Sequence, residues 1–333
     1  MKILITGGSG FIGTNFITKA IDQGHTIYNI DNLSLFKKDH NKKNKNYVFN
    51  KIDIKNKEPL TEILNKFQPN KIIHMAAESH VDNSIQNPGD VISTNIIGTY
   101  NILQASLEFW NSKNSTNNFC FHHVSTDEVF GSLKKNQKPF TEDSKYRPNS
   151  PYSASKAASD HLVRAWNNTY NLPCTITYCT NNYGPFQYPE KLIPVTIMNG
   201  ILKKNIPVYG TGNNIRDWIY VEDHVCALIE IIENNIIDKS FAIGSDNEKN
   251  NIEVVTVICD ILDKILDSKV KHKTFIKFVK DRLGHDYRYA INSNLIKKEI
   301  GWKAKIDFTN GILRTVNWYL ENQSWWKKLI NKV

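Results

Sequence analysis

At 333 residues, 40% apolar and 23% charged, the chain has ordinary globular composition and room for about two domains or one large α/β domain with an appendage, which excludes a disordered chain or a small module. No apolar run reaches the roughly 20 residues that span a bilayer, and MKILITGGSG lacks the basic region and long apolar core of a signal peptide, so no membrane partner and a cytoplasmic location are expected. The net charge of +9 gathers at 37–46 and 268–280; the first stretch, without aromatic interleaving or a binding-fold signature, reads as a solvated loop, and no nucleic-acid partner is expected.

Five cysteines, at 120, 174, 179, 226 and 259, form no CxxC pair, and the histidines lack ligand spacing. Reduced thiols and no metal site are expected.

Strands are predicted at 2–6, 26–31, 47–53, 71–77, 119–125 and 173–179, with helical spacing between most of them at 12–23, 59–67, 91–110 and 153–170. That alternation predicts an α/β fold, a Rossmann-type doubly wound parallel sheet with helices on both faces. Beyond NNYGP (181–185) turn residues thicken, although 222–235 and 309–322 still read as helices. The latter carries Ile312, Val316, Tyr319 and Leu320 on one side, the mark of a packed face. Residues 1–180 are therefore expected to form the first domain and 181–333 a smaller C-terminal substrate-binding lobe, with about 215–245 returning to the first sheet.

TGGSGFIGTN follows the first strand and opens a helix, setting Gly7, Gly10 and Gly13 three apart. Such a turn needs permissive φ values, close approach of backbone to a pyrophosphate, and amide donors at a helix N-terminus. Asp31 ends the second strand 18 residues after Gly13, where a carboxylate accepts from ribose hydroxyls and repels a 2′-phosphate, so NAD is expected rather than NADP. Asp53, closing the third predicted strand, is a candidate for the adenine amino group and equally a polar strand end.

PYSASKAASDHL places Tyr152 and Lys156 four apart at a helix start, on one face. An ammonium beside a phenol favours the phenolate, which makes Tyr152 a usable base. Tyr47 and Lys51 share the spacing but fall in a predicted strand, about 13 Å apart. Ser125, Thr126, Asp127 and Glu128 follow a central strand at the edge where open α/β sheets bind ligands. Tyr152 and NAD would suffice for alcohol oxidation. Two adjacent carboxylates imply further proton transfers, one acid and one base, and hence oxidation followed by elimination.

TGGSGFIG, AAESHVDNS, TNIIGTYNIL, STDEVFG, PYSASKAASDHLVRAW, NNYGPFQYPEKLIP, IRDWIYVEDH and DRLGHDYRYAI together resemble the extended short-chain dehydrogenase/reductases, specifically the dTDP-glucose 4,6-dehydratases, in register over nearly the whole chain. The resemblance implies that Tyr152 takes the glucose 4-hydroxyl proton as hydride passes from C4 to NAD+, that Lys156 holds the nicotinamide ribose and tunes Tyr152, and that Thr126 bonds the 4-oxygen. Glu128 would remove and later return the C5 proton, and Asp127 would protonate the departing C6 hydroxyl. NAD is thereby a retained cofactor, in deoxysugar biosynthesis.

The cofactor set is completed by Phe11, Ile12, Asn32, Ile54, Ala76, Ala77, Thr94 and Ser125. On the substrate side the resemblance implicates Ser79, Asn181, Lys191, Leu192, Pro207, Tyr209, Arg216, Asn251, Arg282 and His285, of which Arg216 and Arg282 suit a pyrophosphate. It also implies a homodimer through the helices near 91–110 and 153–170.

The chain departs from the family at Asn83, often Arg, and Leu283, often Pro. A UDP-glucose 4,6-dehydratase stays open, since one methyl is worth only about 1 to 3 kcal/mol. A UDP-sugar 4-epimerase would leave Asp127 and Glu128 without a task, and intact Tyr152 and Lys156 argue against a silent NAD-binding protein.

Overall fold

The computed structural model describes residues 1–34, 39, 44–113 and 118–330, so the solvated-loop reading of 37–46 falls mostly outside the described residues. The first half contains β1 (Lys2–Thr6), α1 (Phe11–Asp22), β2 (Thr26–Asp31), β3 (Tyr47–Lys51), α2 (Lys57–Phe67), β4 (Lys71–His74), α3 (Val81–Gln86), α4 (Pro88–Val91), α5 (Thr99–Ser112), β5 (Cys120–Thr126) and α6 (Pro151–Tyr170). Then follow β6 (Cys174–Cys179), β7 (Asn181–Tyr183), α7 (Leu192–Ile201), β8 (Ile206–Tyr209), β9 (Ile215–Tyr220), α8 (Val221–Glu233), β10 (Lys239–Ile243), β11 (Glu248–Asn250), α9 (Asn251–Ile265), β12 (Ile276–Val279), α10 (Asn294–Ile300), α11 (Phe308–Glu321) and α12 (Gln323–Ile330).

Seven parallel strands form the central sheet in the order β3-β2-β1-β4-β5-β6-β10. The chain winds outward from β1 to β3, then crosses back to β4, so the topology reverses between β1 and β4. A crevice opens at such a reversal because neighbouring connections leave on opposite faces. β4 and β5 are buried at every residue, so neither shows the alternation of buried and exposed positions that a strand with one solvated face would show. Alternate side chains still serve two cores. Leu4 and Ile72 pack with α2, α5 and α6, while Ile3, Ile5 and Ile73 pack with α1, α8 and α10.

Two predicted strands end early, at Lys51 and His74. Beyond His74 the chain leaves the sheet, and Met75, Ala76 and Ala77 turn into the crevice wall. The single helix expected over 91–110 is interrupted by a π-helical stretch, Ile92–Gly98, between α4 and α5. Asn95 sits in it, buried, with its carbonyl accepting from Thr99 and Ser159 and its side-chain amide bonding the Glu78 backbone. Side-chain competition for helix carbonyls is a recognised cause of such bulges.

Within 215–245, β10 pairs with β6 and α8 packs on α1, whereas β9 joins a separate sheet, β11-β9-β7. A third core, with Tyr183, Ile193, Trp218, Ile258, Ile312, Val316, Tyr319 and Trp326 fully or nearly buried, unites α7, α9, α11 and α12. Tyr183 reaches across to the Phe308 carbonyl (3.4 Å) and lies against Gly311. A Cβ at Gly311 would overlap the Tyr183 hydroxyl. Gly311→Ala is therefore expected to lose about 1 to 3 kcal/mol of stability in urea unfolding. An unchanged midpoint would show that Tyr183 gives way at no cost.

Candidate active site

The crevice is a cleft of about 340 Å³ that runs from the β1–α1 turn, past the ends of β4 and β5, to the segment after β7. Gly7, Gly10, Phe11, Ile12 and Gly13 form its floor at one end. Gly7 has φ +73°, and a Cβ there would stand 2.7 Å from the Ala76 backbone; one on Gly13 would stand 2.5 Å from the Gly8 Cα. Only glycine lets the turn come this close to β4 and to itself. The bare backbone and the N-terminus of α1 left exposed to the cleft fit a pyrophosphate, so the residues present fit a dinucleotide.

Asp31, Asn32, Ile54, Ala76, Ala77 and Thr94 line the same end. Asp31 accepts from the amides of Ser9 (3.1 Å) and Leu33 (2.7 Å), which fixes its carboxylate, while burial raises its pKa. Asp53 does not line the cleft. It accepts from Asn32 (3.2 Å), which does, and from the Lys55 amide (2.9 Å).

At the middle of the cleft stand Ser125, Thr126, Asp127, Glu128, Tyr152 and Lys156. The Thr126 hydroxyl caps the turn Asp127–Phe130 by accepting from the Glu128 amide (3.3 Å), which turns both carboxylates out of the strand end. Asp127 is 2% exposed, and its Oδ2 has no hydrogen-bond partner among the described residues. Burial, then the charge of Glu128, pushes its pKa up to about 8. Burial also raises Glu128, but Arg216 and Lys191 oppose this. The pair is thus split. Asp127 holds a proton at neutral pH, and Glu128 is the more readily ionised.

Tyr152 enters the cleft because Ser150 and Ser153 form a reciprocal capping box around Pro151, fixing the first turn of α6. Lys156 follows one turn later and is buried. Its ammonium, however, donates to the Val124 carbonyl (2.9 Å) and lies 3.3 Å from His123 Nε2. The expected lowering of the Tyr152 pKa by Lys156 is corrected here. Burial, then Glu128, Cys179 and Asp127, holds the phenol well above its ordinary range.

Ser79, Asn181 and Lys191 line the far end, with the Lys191 ammonium 3.3 Å from the Ser79 carbonyl. Leu192 opens α7 directly after Lys191. Pro207, Tyr209, Arg216, Asn251, Arg282 and His285 are not among the cleft-lining residues. Arg216 is buried and gives its donors to the carbonyls of Ile215, Asp286 and Tyr287, so the pyrophosphate role expected of it meets a guanidinium already engaged. It stands instead as a fixed positive charge acting on Glu128 and Asp127.

Tyr209, Arg282 and His285 cluster together, the guanidinium 5.4 Å from the Tyr209 ring and the His285 ring 6.4 Å from it. Arg282 forks onto Asp82 of α3 at 2.6 and 3.1 Å. Asn83 and Leu283 each adjoin one partner of that ion pair, and Leu283 is 74% exposed. Pro207 lies on β8 beside Val208, and the Asn251 amide bonds the Asn214 carbonyl (3.1 Å) at the start of α9.

Sequence reasoning missed the cleft residues Glu78, Cys179, Thr180, Asn182, Gln187, Tyr188 and Glu190. It also missed His123, Tyr146 and Asp160, which pack behind Lys156. Asp160 was within reach, standing four residues beyond Lys156 on the same helix face.

A parallel α/β sheet with a dinucleotide loop, a helical Tyr–Lys pair and a split carboxylate pair in one cleft defines a cofactor-dependent enzyme of the short-chain dehydrogenase/reductase type. The model of the family described as GDP-mannose 4,6 dehydratase matches residues 4–315, and the chain belongs to that nucleotide-sugar dehydratase family. It is 44% identical to the dTDP-glucose 4,6-dehydratase of Neisseria meningitidis over 99% of this chain and 96% of the relative. Among solved structures it is similar to the dTDP-glucose 4,6-dehydratase of Bacillus anthracis in complex with NAD (38% identity, TM-score 0.84, 99% of both chains). It is also similar to that of Streptomyces venezuelae with NAD and dTDP bound (34% identity, TM-score 0.87, 99% of this chain and 100% of that one).

The displaced pKa of Asp127 has a stability consequence. An unfolded Asp titrates near 3.9, so the raised pKa carries no pH-dependent penalty below about pH 4, and stability is lost as the pH rises from there through about 8. Asp127→Asn should remove that loss. Relative to wild type, its urea midpoint is expected to improve progressively across this window, by at least about 1 kcal/mol at pH 8. A difference that does not vary with pH would mean Asp127 ionises normally.

Proposed function

We propose that the protein is a dTDP-glucose 4,6-dehydratase. It oxidises C4 of the sugar, eliminates water across C5–C6 and delivers hydride to C6, giving dTDP-4-keto-6-deoxyglucose. The split pair Asp127 and Glu128 beside Tyr152 and Thr126 carries this reading, because oxidation or epimerisation at C4 leaves two carboxylates idle. Residues 1–180 supply the NAD side and most of 181–333 the substrate side.

Bound NAD+ would supply the hydride acceptor for C4 and, once reduced, the hydride donor for C6. The glycine loop with Gly7, Gly10 and Gly13 would hold its pyrophosphate, Asp31 its adenosine ribose and Lys156 its nicotinamide ribose. Tyr152 takes the 4-hydroxyl proton while Thr126 bonds the 4-oxygen. The resulting 4-ketone acidifies C5, and Glu128 removes that proton. Asp127, protonated at neutral pH, hands its proton to the C6 hydroxyl, which leaves as water; Glu128 then reprotonates C5. Over one turnover Tyr152 has gained a proton and Asp127 has lost one. The site must restore both before the next cycle.

On the substrate side we assign Ser79, Asn181, Lys191 and Leu192 to the sugar-proximal nucleotide contacts, and Tyr209, Arg282 and His285, with Pro207 and Asn251, to the base and pyrophosphate. Arg282 would exchange Asp82 for phosphate. Arg216 acts through its charge on Glu128. We also assign a homodimer through α5 and α6, supported by the exposure of Ile92 (51%) and Ile97 (50%) beside Tyr100 and Tyr170. A cytoplasmic location suits the five free cysteines.

Mass spectrometry of dTDP-glucose and UDP-glucose incubated separately, with no NAD added, tests the reading. Loss of one water, faster from dTDP-glucose, is expected. Conversion to the galactose isomer at unchanged mass would replace it with epimerisation, and faster loss from UDP-glucose would reassign the base. Glu128→Gln should still reduce bound NAD+ on adding substrate yet release dehydrated product at least about 100-fold more slowly; wild-type release would remove Glu128 as the C5 base. Sedimentation should give a dimer mass, and a monomer at working concentration would refute the α5–α6 interface.

A further inference from the structure

The face of α6 that carries Tyr152 and Lys156 continues one turn further to Asp160, a carboxylate with no solvent exposure. Its Oδ2 accepts from the hydroxyls of Ser125 (2.8 Å) and Tyr146 (3.0 Å), and its Oδ1 lies 3.1 Å from His123 Nε2. The same Nε2 stands 3.3 Å from the Lys156 ammonium. One imidazole nitrogen therefore sits between a buried cation and a buried carboxyl group. We propose that Asp160 is a positioning residue for the oxidation step: across the His123 ring it is the counter-charge that keeps Lys156 protonated and drawn onto β5, on the helix face that holds Tyr152. The inference rests on the dehydratase reading above.

Burial of an ammonium favours its neutral form, and a nearby anion is the usual remedy. For Lys156, burial lowers the pKa, and Asp160 is foremost among the groups that oppose it. The other neighbours do not replace it. His123 on β5 and His74 on β4 are kept neutral, chiefly by burial, and the Cys179 thiol on β6 is pushed up to about 12. Glu128, Asp127 and Asp160 itself all raise Tyr152, so the phenol does not report the charge of Lys156. Asp160 itself is raised by burial to about 6 and held from going further by Lys156, Ser125 and Tyr146, so it is ionised at neutral pH. Tyr146 in turn shares a 2.7 Å hydrogen bond with Tyr178, which accepts from Arg164 (2.8 Å). Without the carboxylate Lys156 sheds its proton more readily.

The test uses the holoenzyme. The Lys156 ammonium, isolated in lysine-labelled protein by subtracting the NMR spectrum of Lys156→Met, is titrated in wild type and Asp160→Asn, and the pH dependence of NAD+ reduction on adding dTDP-glucose is followed in parallel. In Asp160→Asn both the Lys156 titration and the alkaline limb of NAD+ reduction are expected about 1 to 3 pH units lower, the range for loss of a close opposite charge. Asp160→Glu should recover part of the shift. Tyr146→Phe, which leaves the carboxylate but removes one donor to it, should move both a smaller distance the same way. An unshifted titration in Asp160→Asn overturns the inference, including the case in which rates fall equally at every pH. If the titration shifts but wild type dehydrates neither sugar, the Asp160 assignment stands and the dehydratase reading falls.

Discussion

The site depends on the cost of burying charge at the end of one strand. β5 is sealed on both faces, and it releases Asp127 and Glu128 into the cleft before they regain full contact with water. An isolated carboxylate in that position would protonate, and so would its neighbour. What separates them is the uneven placing of Arg216 and Lys191, whose charges weigh first against the raised pKa of Glu128, while Asp127 answers chiefly to its burial and to Glu128 itself. An acid and a base therefore arise from two adjacent residues with nearly identical intrinsic acidity. Arg216 can play this part because its hydrogen bonds go to three backbone carbonyls, which fix the guanidinium without neutralising it.

The same constraint explains the layout behind the cleft. Lys156 and Asp160 are both without appreciable solvent contact, and hydroxyls from Ser125 and Tyr146 supply the solvation that water supplies elsewhere. The π-helical stretch at Ile92–Gly98 belongs to this layer, since the Asn95 side chain reaches Ser155 on α6 at 2.8 Å and its carbonyl takes Ser159. A regular helix through 91–110 would rotate Asn95 away from α6. The interruption thus locks the helix that carries Tyr152 and Lys156 against the wall that carries Thr94.

The sheet and the first half of the cleft were legible because their signals are local. Apolar runs bounded by turns mark β1, β2, β4, β5 and β6, and the glycine spacing marks the turn whose close approach to Ala76 the fold requires. Tyr152 and Lys156 were legible from one helical turn. What the sequence could not show is direction. The Lys156 ammonium is captured by the Val124 carbonyl and His123, partners supplied by strand pairing more than 30 residues away in the chain, so its expected effect on the phenol did not follow. Arg216 is similar: its residue type suits phosphate, but carbonyls brought in from beyond residue 285 occupy it. The helix interruption was hidden for the same reason in part, because Ser159, one of the two hydroxyls that bond the Asn95 carbonyl, lies on α6.

Charged side chains meet across the mouth of the cleft. Lys191 reaches the Ser79 carbonyl, His80 Nε2 stands 3.3 Å from Glu190, and Arg282 forks onto Asp82. All three join the segment after β4 to the substrate side, and all are partly solvent-exposed, so each contributes little to stability on its own. That weakness suits their place. Contacts between exposed or half-exposed charges are readily exchanged for a ligand's phosphates, whereas the buried contacts around Asp160 are not. Asn83 and Leu283 flank the Asp82–Arg282 pair, where the segment after β4 and the substrate side are held by exchangeable charge.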